Sequence, residues 1–441
     1  MPYKDSLFFM KRKGYNNNHV NLKNMNKYII EGRKKLNGTV KVSGSKNATL
    51  PILCATLLVK GKSVLKNVPD IADVHTMIQV LEKLGCKVEF SKNTLKINTK
   101  KLKNSYLSEG LVGCMRASIL LLGPLVTLFN RVKVSYPGGC VLGKRPVDTH
   151  LDIFKALGCK VKTFKGDIIV QKKELKAADI VLSEASVTAT ENAIMAAVLT
   201  PGITNIHLAA AEPHVQDLCG FLNACGAKIT GIGTHDLKII GVKKLKGTQY
   251  SVTGDYLEAG TYAIAAALTK GHVKITGIDP NHLYTFLQKM EEIGVQLIIG
   301  KKFIEILPGG SLKTMGILKT AIHPGFPTDL QAPFSVLLTQ AKGISKIFET
   351  LFEGRLNYLF ELEKMGAKVE ILNPHQAIVI GSTKLRGVSI ASCDIRAGAA
   401  MVLAALVAHG KTEITNINYI DRGYEKLDKK LRKLGASIKR I

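Results

Sequence analysis

The sequence lacks the features that mark several large classes of protein. Its eight cysteines form no CxxC pair and no metal-ligand spacing, which favours a reducing compartment and argues against a cysteine-based metal site. No apolar run approaches the roughly 18 to 20 residues that a membrane span needs, and the N-terminal run SLFFM is too short for a signal peptide. We therefore expect a cytoplasmic protein with no membrane span, no bound metal and no cofactor.

Acidic residues are scarce relative to basic ones. The 441 residues include 62 lysines and arginines but only 34 aspartates and glutamates, which gives a formal net charge of +28. Such an excess suits an anionic partner such as nucleic acid, an acidic membrane or phosphorylated metabolites. Most of the excess is lysine in short scattered runs, for example KKLK at 243–246, and scattered lysine is typical of a solvated surface. We expect no nucleic-acid partner.

The strongest pattern in the chain is a sixfold internal repeat. Six segments each read as a helix end, a glycine and a strand, and subtraction of the glycine numbers gives steps of 68 to 73 residues. A helix that ends directly into a strand commonly needs a left-handed residue at that point, which glycine adopts without steric cost. The six glycines are Gly85, Gly158, Gly226, Gly294, Gly366 and Gly435.

Each repeat predicts one buried helix and one outer helix. The first helix of a unit is apolar all round, as in IRAGAAMVLAALVAHG, and should be buried. The second carries a single apolar stripe, such as Val74, Met77, Ile78, Leu81 and Leu84, and should cover the outside of a sheet. Because one unit cannot bury its apolar helix alone, several units must cluster. The predicted fold class is α/β, with two inside-out domains of three units each, buried helices, and outer sheets and helices.

Polar residues are concentrated at the starts of the apolar helices. Helix N-termini carry partial positive charge and free N–H donors, so a cleft that brings several together favours an anion. Serine and aspartate are ordinary N-caps, and we expect that role for Ser186 and Asp255. Capping does not explain cations there, because positive charge is unfavourable at that end of a helix. The helix-start cations are Lys46, Arg116 and Arg396, with Asn47 beside the first and Asp329 at the start of the fifth helix.

The loops before the amphipathic helices carry three arginines at equivalent places. These are Arg145, Arg355 and Arg422. A guanidinium group binds phosphate or carboxylate in a forked, two-bond geometry. Three of them beside cationic helix starts indicate a phosphorylated and carboxylated substrate.

One of these loops, PGGCVLGKRPVD at 137–148, holds Cys140 behind paired glycines and ahead of two cations. A flexible backbone beside a thiol suits a loop that closes over an anionic substrate, although an ordinary turn could have the same composition. The equivalent loops of the other five units contain no cysteine, and only this loop is lengthened by paired glycines. Its place in the repeat therefore favours the reactive loop.

Seven segments together resemble the motifs of the enolpyruvyl transferases, and among them the UDP-N-acetylglucosamine 1-carboxyvinyltransferase family. They are SGSKNATLPIL, MRASILLLGPL, PGGCVLGKRPVDTHLDIFKALG, GFPTDLQAPF, LFEGR, DIRAGAAMVLAAL and YIDRGYEKL. The resemblance runs from about residue 25 to residue 441 and implies an active site between two inside-out domains. It implies a domain I of residues 25–45 plus 255–441 and a domain II of residues 46–254 that carries the cysteine loop. Residues 1–24 are expected to be a poorly ordered extension.

The resemblance implies a reaction and a set of site residues. The enolpyruvyl group of phosphoenolpyruvate would pass to the 3′-hydroxyl of UDP-N-acetylglucosamine with release of phosphate, the first committed step of peptidoglycan precursor synthesis. The implied catalytic residues are Cys140 as proton donor and pyruvyl-adduct nucleophile, Asp329 as base, Lys46 and Arg422. The implied phosphoenolpyruvate ligands are Lys46, Asn47, Arg145, Arg396 and Arg422. The implied nucleotide-sugar ligands are Arg116, Arg145, Pro146, Val147, Asp148, Thr149, Ser186, Val187, Asp329 and Leu351, with Arg355 supporting closure.

The same resemblance extends to the biology and to an inhibitor. It implies roles in cell wall biogenesis, cell shape, the cell cycle and cell division, and it implies that fosfomycin alkylates Cys140. The third unit departs from the family, since Thr188 stands where glycine is usual and Glu184 where some members carry a cation. The alternatives are a 5-enolpyruvylshikimate-3-phosphate synthase, which shares the repeats but not the cysteine loop, and a six-unit nucleic-acid clamp.

Overall fold

We describe the fold from a computed structural model, which describes residues 26–99, 102, 106–107, 115–136 and 146–441. The predicted site residues Cys140 and Arg145 lie outside the described residues, as do Cys114 and the extension at 1–24. Within the described ranges, no helix has both the length and the apolar character that a bilayer crossing requires.

The described chain begins with two strands and continues with three repeated units. The two strands are β1 (Tyr28–Glu31) and β2 (Asn37–Lys41). The helices of the three units are α1 (Lys46–Ala55), α2 (Ala72–Lys83), α3 (Leu122–Leu128), α4 (Asp148–Ala156), α5 (Val187–Ala197) and α6 (Pro213–Ala224). Their strands are β3 (Val59–Lys60), β4 (Lys62–Lys66), β5 (Lys87–Ser91), β6 (Thr94–Asn98), β7 (Tyr106–Leu107), β8 (Arg131–Ser135), β9 (Lys160–Phe164), β10 (Asp167–Gln171), β11 (Asp179–Val181), β12 (Ile203–His207), β13 (Lys228–Thr230), β14 (Asp236–Ile240), β15 (Leu245–Lys246) and β16 (Gln249–Ser251).

Three further units complete the chain. Their helices are α7 (Tyr256–Leu268), α8 (Tyr284–Glu292), α9 (Thr328–Gln340), α10 (Leu359–Lys364), α11 (Ile395–Val407), α12 (Asn418–Asp421) and α13 (Leu427–Lys433). Their strands are β17 (His272–Thr276), β18 (Leu297–Gly300), β19 (Phe303–Ile306), β20 (Ile317–Lys319), β21 (Gly343–Phe348), β22 (Lys368–Asn373), β23 (Gln376–Gly381), β24 (Ser389–Ala391), β25 (Lys411–Thr415) and β26 (Ser437–Arg440). Short 3-10 segments lie at Thr56–Leu58, Arg116–Leu121, Pro280–Leu283 and Glu353–Tyr358.

Each unit has a four-stranded sheet with one arrangement. In the first unit the order is β16-β4-β6-β5, where β16 and β4 are parallel and the other neighbours are antiparallel. The sheets β7-β8-β10-β9, β11-β12-β14-β13 and β20-β21-β23-β22 repeat this order. The strand that follows each apolar helix thus lies at an inner position, which holds the helix against the inner face of its own sheet.

The two N-terminal strands complete sheets near the end of the chain. β1 lies between β25 and β26 and is antiparallel to both, while β2 is parallel to β17. The units at the C-terminal end therefore need the first described residues to close their sheets.

The buried side chains form two separate hydrophobic clusters. One cluster contains Tyr28–Val42 side chains together with side chains from Tyr256 to Ile438. The other contains side chains from Ala48 to Val252. The chain passes between the two clusters at 43–47 and again at 253–255, where Gly44 and Gly254 form an isolated antiparallel bridge. We propose the same boundaries that the resemblance implies, with domain I at 25–45 and 255–441 and domain II at 46–254, so that each domain contains one cluster.

The helices divide into the two predicted kinds. All thirteen residues of α7 are buried, as the uniformly apolar sequence predicts. The predicted stripe on α2 is buried as well, and its exposed face turns away from the core. The six repeat glycines all have positive φ values, from +87° to +104°, which confirms the left-handed helix ends.

The second apolar helix differs from the prediction. The sequence MRASILLLGPLVTLF predicts one continuous helix, but the structure has a 3-10 segment over Arg116–Leu121 and a short α3. Pro124 has no N–H to donate and lies in the first turn of α3, where that N–H would have no partner in the helix. Pro51 in α1 and Pro333 in α9 lie inside regular helices, so a proline does not by itself explain the 3-10 segment before α3.

Candidate functional site

A cleft between the two clusters collects the starts of the apolar helices. Its cavity volume is about 490 Å³, and it is lined from both halves of the chain. The predicted site residues in its lining are Lys46, Asn47, Arg116, Pro146, Ser186, Val187, Asp329, Leu351, Arg355, Arg396 and Arg422. The structure therefore brings together the cationic helix starts and two of the three loop arginines.

Three predicted residues lie beside the cleft rather than in its lining. Val147 is buried, and α4 begins at Asp148 immediately after it. The Thr149 hydroxyl is 2.9 Å from the Ser183 hydroxyl and is turned into the fold. Of the RPVDT segment, only Pro146 is part of the described lining.

The carboxylate of Asp73 joins the two halves across the cleft. Its Oδ2 is 2.9 Å from Lys46 Nζ at the start of α1, and its Oδ1 accepts a hydrogen bond of 2.9 Å from Arg422 Nε. Burial raises the pKa of the Asp73 carboxyl, but Lys46 and Arg422 lower it by more, so the net shift is downward. Asp73 stays ionised and holds the two cations that the sequence predicts as phosphoenolpyruvate ligands.

A second carboxylate, Asp329, is held by two buried arginines. Arg355 Nη2 donates to its Oδ1, and Arg396 Nε donates to its Oδ2 over 3.1 Å. Burial raises the pKa of the Asp329 carboxyl, whereas Arg396 and Arg355 lower it to well below its usual range. In this arrangement Asp329 is a fixed anion and a weak proton acceptor.

One guanidinium nitrogen in the cleft has no hydrogen-bond partner among the residues that the structure describes. Nη1 of Arg396 is buried and makes no hydrogen bond within the described part of the chain. The rest of the group is held by Asp329 and lies 5.3 Å from the ring of Tyr424. A buried donor without an acceptor is costly, so this nitrogen is prepared to receive an anionic oxygen.

The opposite wall of the cleft contains Arg116, Thr188 and His150. Arg116 Nη2 donates to the carbonyl of Pro146 over 3.2 Å. The Thr188 hydroxyl, at the position where the family usually has glycine, is 3.1 Å from His150 Nε2. Burial, with the nearby charge of Arg116, lowers the pKa of His150 to about 3, so this imidazole is neutral. Glu184 lies in the same wall.

Of the two predicted helix caps, Asp255 and Ser186, only the first makes capping hydrogen bonds. Asp255 accepts hydrogen bonds from the backbone N–H groups of Leu257 and Glu258, which confirms it as the cap of α7. Ser186 occupies the N-cap position of α5, but its side chain makes no capping hydrogen bond, so that prediction was wrong. Its hydroxyl instead belongs to the cleft lining, where a ligand could take it.

Several residues in the lining were not among the predicted site residues. Glu191 and Glu212 each have a buried carboxyl oxygen without a hydrogen-bond partner in the described residues, and burial raises the pKa of both. Burial lowers the pKa of His214 to about 4, and its ring stacks on Tyr256. His214 and Asp73 lie in the loop segments AEPHVQD and PDIADVH. Because these loops are equivalent in the repeat to the arginine loops, their position could have identified both residues as part of the site.

The described cysteines are unsuited to reaction. Five are buried, namely Cys54, Cys86, Cys159, Cys219 and Cys225, and Cys393 is half-buried. Burial raises the pKa of Cys86 to about 12 and of Cys159 to about 11, which leaves little thiolate at neutral pH. Among the described residues, no group of three or more histidines, cysteines or carboxylates is arranged to hold a metal ion.

This arrangement can bind and orient a compact, multiply charged anion. Lys46, Arg396 and Arg422 converge on one cleft with donors supplied by several helix starts. Asp73 and Asp329 form ion pairs with these cations. A substrate carboxylate or phosphate would therefore compete with the two aspartates for the same donors.

Comparison with known proteins gives matches over nearly the whole chain. Residues 30–431 match the family described as EPSP synthase (3-phosphoshikimate 1-carboxyvinyltransferase). The chain is 44% identical over 420 residues to a protein of Coxiella burnetii named UDP-N-acetylglucosamine 1-carboxyvinyltransferase, with 95% of this chain and 96% of that protein covered. It is 45% identical over 417 residues to UDP-N-acetylglucosamine 1-carboxyvinyltransferase 3 of Caldanaerobacter subterraneus subsp. tengcongensis, with 95% and 100% covered.

Solved structures agree in fold. The enolpyruvyl transferase NikO from Streptomyces tendae superposes with a TM-score of 0.85 at 23% identity, over 94% of this chain and 99% of that one. EPSP synthase from Acinetobacter baumannii superposes with a TM-score of 0.74 at 18% identity, over 95% and 100%. At these identities the likeness establishes the inside-out α/β fold alone.

Proposed function

We propose a function from the premise that this chain belongs to the EPSP synthase family of enolpyruvyl transferases. The protein is a transferase that moves the enolpyruvyl group of phosphoenolpyruvate to the 3′-hydroxyl of UDP-N-acetylglucosamine and releases phosphate. The observation that carries this proposal is the identity of 44–45%, over 95% of the chain, to enzymes named for that activity. Because the chain belongs to this family, we reject the alternative of a six-unit nucleic-acid clamp.

The reaction needs an acid, a base and a clamp for two anionic groups. Protonation of C3 of phosphoenolpyruvate creates positive charge at C2, which the sugar hydroxyl attacks, and loss of the proton and phosphate from the resulting ketal gives the product. We assign the clamp to Lys46, Arg396 and Arg422, with Asn47 beside them and Arg145 from the cysteine loop. Support comes from the shared cleft and from the unpaired Nη1 of Arg396.

Asp329 is our candidate for the base that takes the proton of the sugar hydroxyl. Its two arginine partners hold the pKa of its carboxyl low. An incoming diphosphate or carboxylate that draws Arg355 or Arg396 away would raise that pKa and make the carboxylate a better proton acceptor. Substrate binding would thus prepare the base, and Arg355 would change its contacts as the cleft closes.

The remaining assignments rest on the sequence motifs. Cys140 is proposed as the proton donor for C3, as the site of a pyruvyl thioether and as the thiol that fosfomycin alkylates. The nucleotide sugar would contact Arg116, the segment from Arg145 to Thr149, Ser186, Val187, Asp329 and Leu351. Within that segment, the Thr149 hydroxyl also lies 2.9 Å from the Ser183 hydroxyl.

The reaction places the protein in peptidoglycan precursor synthesis. Through that product we propose roles in cell wall biogenesis, cell shape, the cell cycle and cell division, and a cytoplasmic location where both substrates occur.

The proposal is tested by phosphate release from phosphoenolpyruvate. Release should require UDP-N-acetylglucosamine and should not occur with shikimate 3-phosphate, the acceptor of the alternative family activity. Lys46→Gln should abolish it, because it removes one cation of the clamp, whereas Lys96→Gln, on an exposed strand position, should leave it unchanged. Turnover with shikimate 3-phosphate instead of the nucleotide sugar would refute the assignment.

A further inference from the structure

A second cavity, the hinge pocket, lies where the chain crosses between the two clusters. Its lining includes Ser43, Thr253 and Gly254, which belong to the two crossing segments. Its volume is about 1130 Å³, and it shares no lining residue with the catalytic cleft. Ser43 lies three residues before Lys46, so the hinge pocket and the cleft flank the same crossing segment.

The hinge pocket is strongly cationic. Two acidic residues, Asp279 and Glu425, belong to its lining. They face nine lysines, namely Lys41, Lys66, Lys92, Lys301, Lys302, Lys426, Lys429, Lys430 and Lys433. Like charges in one concave site repel one another and concentrate counter-anions there.

The carboxylates of Glu425 and Glu258, beside Ser43, already have hydrogen-bond or ion-pair partners within the protein. Glu425 accepts hydrogen bonds from the Ser43 hydroxyl over 2.6 Å and from Asn93 Nδ2. Lys430 Nζ donates to Ser43 Oγ over 2.8 Å and is 2.6 Å from the buried carboxylate of Glu258. Lys426 pairs with Asp70 over 3.2 Å. The other seven lysines make no ion pair within the described part of the chain.

The lysines come from both halves of the molecule. Lys66 ends β4 and Lys92 lies in the turn between β5 and β6, which belong to the cluster of residues 48–252. Lys302 lies in the turn between β18 and β19, and Lys429 and Lys433 lie on α13, in the other cluster. An anion in this pocket would contact both halves at once.

The lining also indicates which kind of anion fits. No tryptophan, tyrosine, phenylalanine or histidine is among the described residues of the pocket. Single-stranded nucleic acids and nucleotide bases are commonly held by stacking on such rings, whereas phosphate groups need only charge and donors. The pocket has charge and donors, including the amide of Asn281 and the hydroxyls of Ser251 and Thr253.

We propose that the hinge pocket is a second anion site, separate from the catalytic cleft, that binds a polyphosphorylated ion of the inorganic tripolyphosphate class. Its lysines bridge the two domains around the crossing segments. The site does not depend on the proposed transferase activity. Its nine lysines contribute part of the net charge of +28.

The test is calorimetric titration of the full-length protein with sodium tripolyphosphate at low salt. One variant combines Lys66→Gln, Lys302→Gln, Lys429→Gln and Lys433→Gln in the hinge pocket. The matched control removes the same number of charges from exposed outer strands and combines Lys96→Gln, Lys160→Gln, Lys228→Gln and Lys368→Gln. We expect the hinge variant to bind at least tenfold more weakly and the control variant to bind as the unaltered protein does.

Two further measurements separate this site from other sources of anion binding. The Lys46→Gln variant of the cleft should retain tripolyphosphate binding, since that lysine does not line the hinge pocket. Equal weakening in the hinge and control variants would indicate a general charge effect and refute the site. Loss of tripolyphosphate binding in Lys46→Gln would also refute the site. Preferential binding of a single-stranded oligonucleotide, weakened in the hinge variant, would refute it as well. If the fourfold variant does not fold, the pairs Lys66/Lys302 and Lys429/Lys433 give the same comparison.

Discussion

Replacement of Asp73 by asparagine tests the ionic bridge that joins the two halves across the cleft. The carboxylate side chain is 5% exposed, and its partners Lys46 and Arg422 are 12% and 20% exposed, so solvent screens these contacts only weakly. Hydrogen bonds to charged groups contribute about 1.5–3 kcal/mol each. Asparagine retains one neutral acceptor, so we expect a loss of about 2–4 kcal/mol, below the roughly 3–5 kcal/mol for complete removal of a buried partner.

The assay is thermal or urea unfolding followed by circular dichroism and calorimetry, because the sequence has no tryptophan to report fluorescence. A loss of this size should lower the midpoint by on the order of 5–10 °C. Arg422 belongs to the other half of the molecule from Asp73, so the two halves should also unfold with less mutual cooperativity. Asp394→Asn is the matched control, since Asp394 caps α11 without an ion pair among the described residues and asparagine is an equally good cap.

The pH dependence of the same difference follows from the direction of the pKa shift. The folded-state pKa of Asp73 lies below its unfolded value of about 3.9, so its stabilisation is fully present above that value. The difference between the unaltered protein and Asp73→Asn should be constant from neutral pH to about pH 5 and shrink as pH falls through the folded pKa. A variant within about 0.5 kcal/mol of the unaltered protein, or an equal loss in Asp394→Asn, would refute the bridge.

Three further predictions concern catalysis, the hinge and the thiols. Asp329→Asn should lower kcat by about 10²- to 10⁴-fold, as expected for loss of a general base, and steady-state phosphate release measures it. Gly44→Ala should strongly reduce the yield of folded protein, because the added Cβ would lie 1.7 Å from the Asn67 carbonyl oxygen. Gly316→Ala adds a Cβ in open space and should change neither the yield nor the melting temperature, which are measured for both variants. Mass spectrometry after fosfomycin treatment should locate the adduct on Cys140 and find no label on the buried thiols Cys54, Cys86, Cys159, Cys219 and Cys225.

The repeated architecture could be predicted because its causes are local. An apolar helix, a glycine at the helix end and a short strand each depend on a few neighbouring residues, and the period of 68 to 73 residues repeats that local information six times. The six left-handed glycines and the buried stripe of α2 follow directly. The interrupted second helix was missed because its residues are as apolar as those of the regular buried helices, so the pattern does not distinguish the two forms.

The ion pairs of the cleft could not be predicted in the same way. Arg422 and Asp73 are separated by 349 positions in the chain, and nothing in either segment identifies the other as its partner. The sequence could place Lys46 and Arg422 near an anion, but not show that a carboxylate of the protein occupies both. The hinge pocket was missed for a similar reason, because lysines that look scattered along the chain converge only in the fold.

The position of β1 has a consequence for how the protein is made. β1 ends at Glu31 and is synthesised long before its two neighbours in the sheet, β25 and β26, which begin at Lys411 and Ser437. At about 5–20 residues per second, the delay is on the order of 20 to 80 seconds. During that time the edges of β1 have no native partner, and its side chains Tyr28 and Ile30, fully buried in the finished fold, remain in water. β1 is therefore completed in its sheet long after it is translated, and slower elongation or early termination would prolong its exposure to aggregation or chaperone binding.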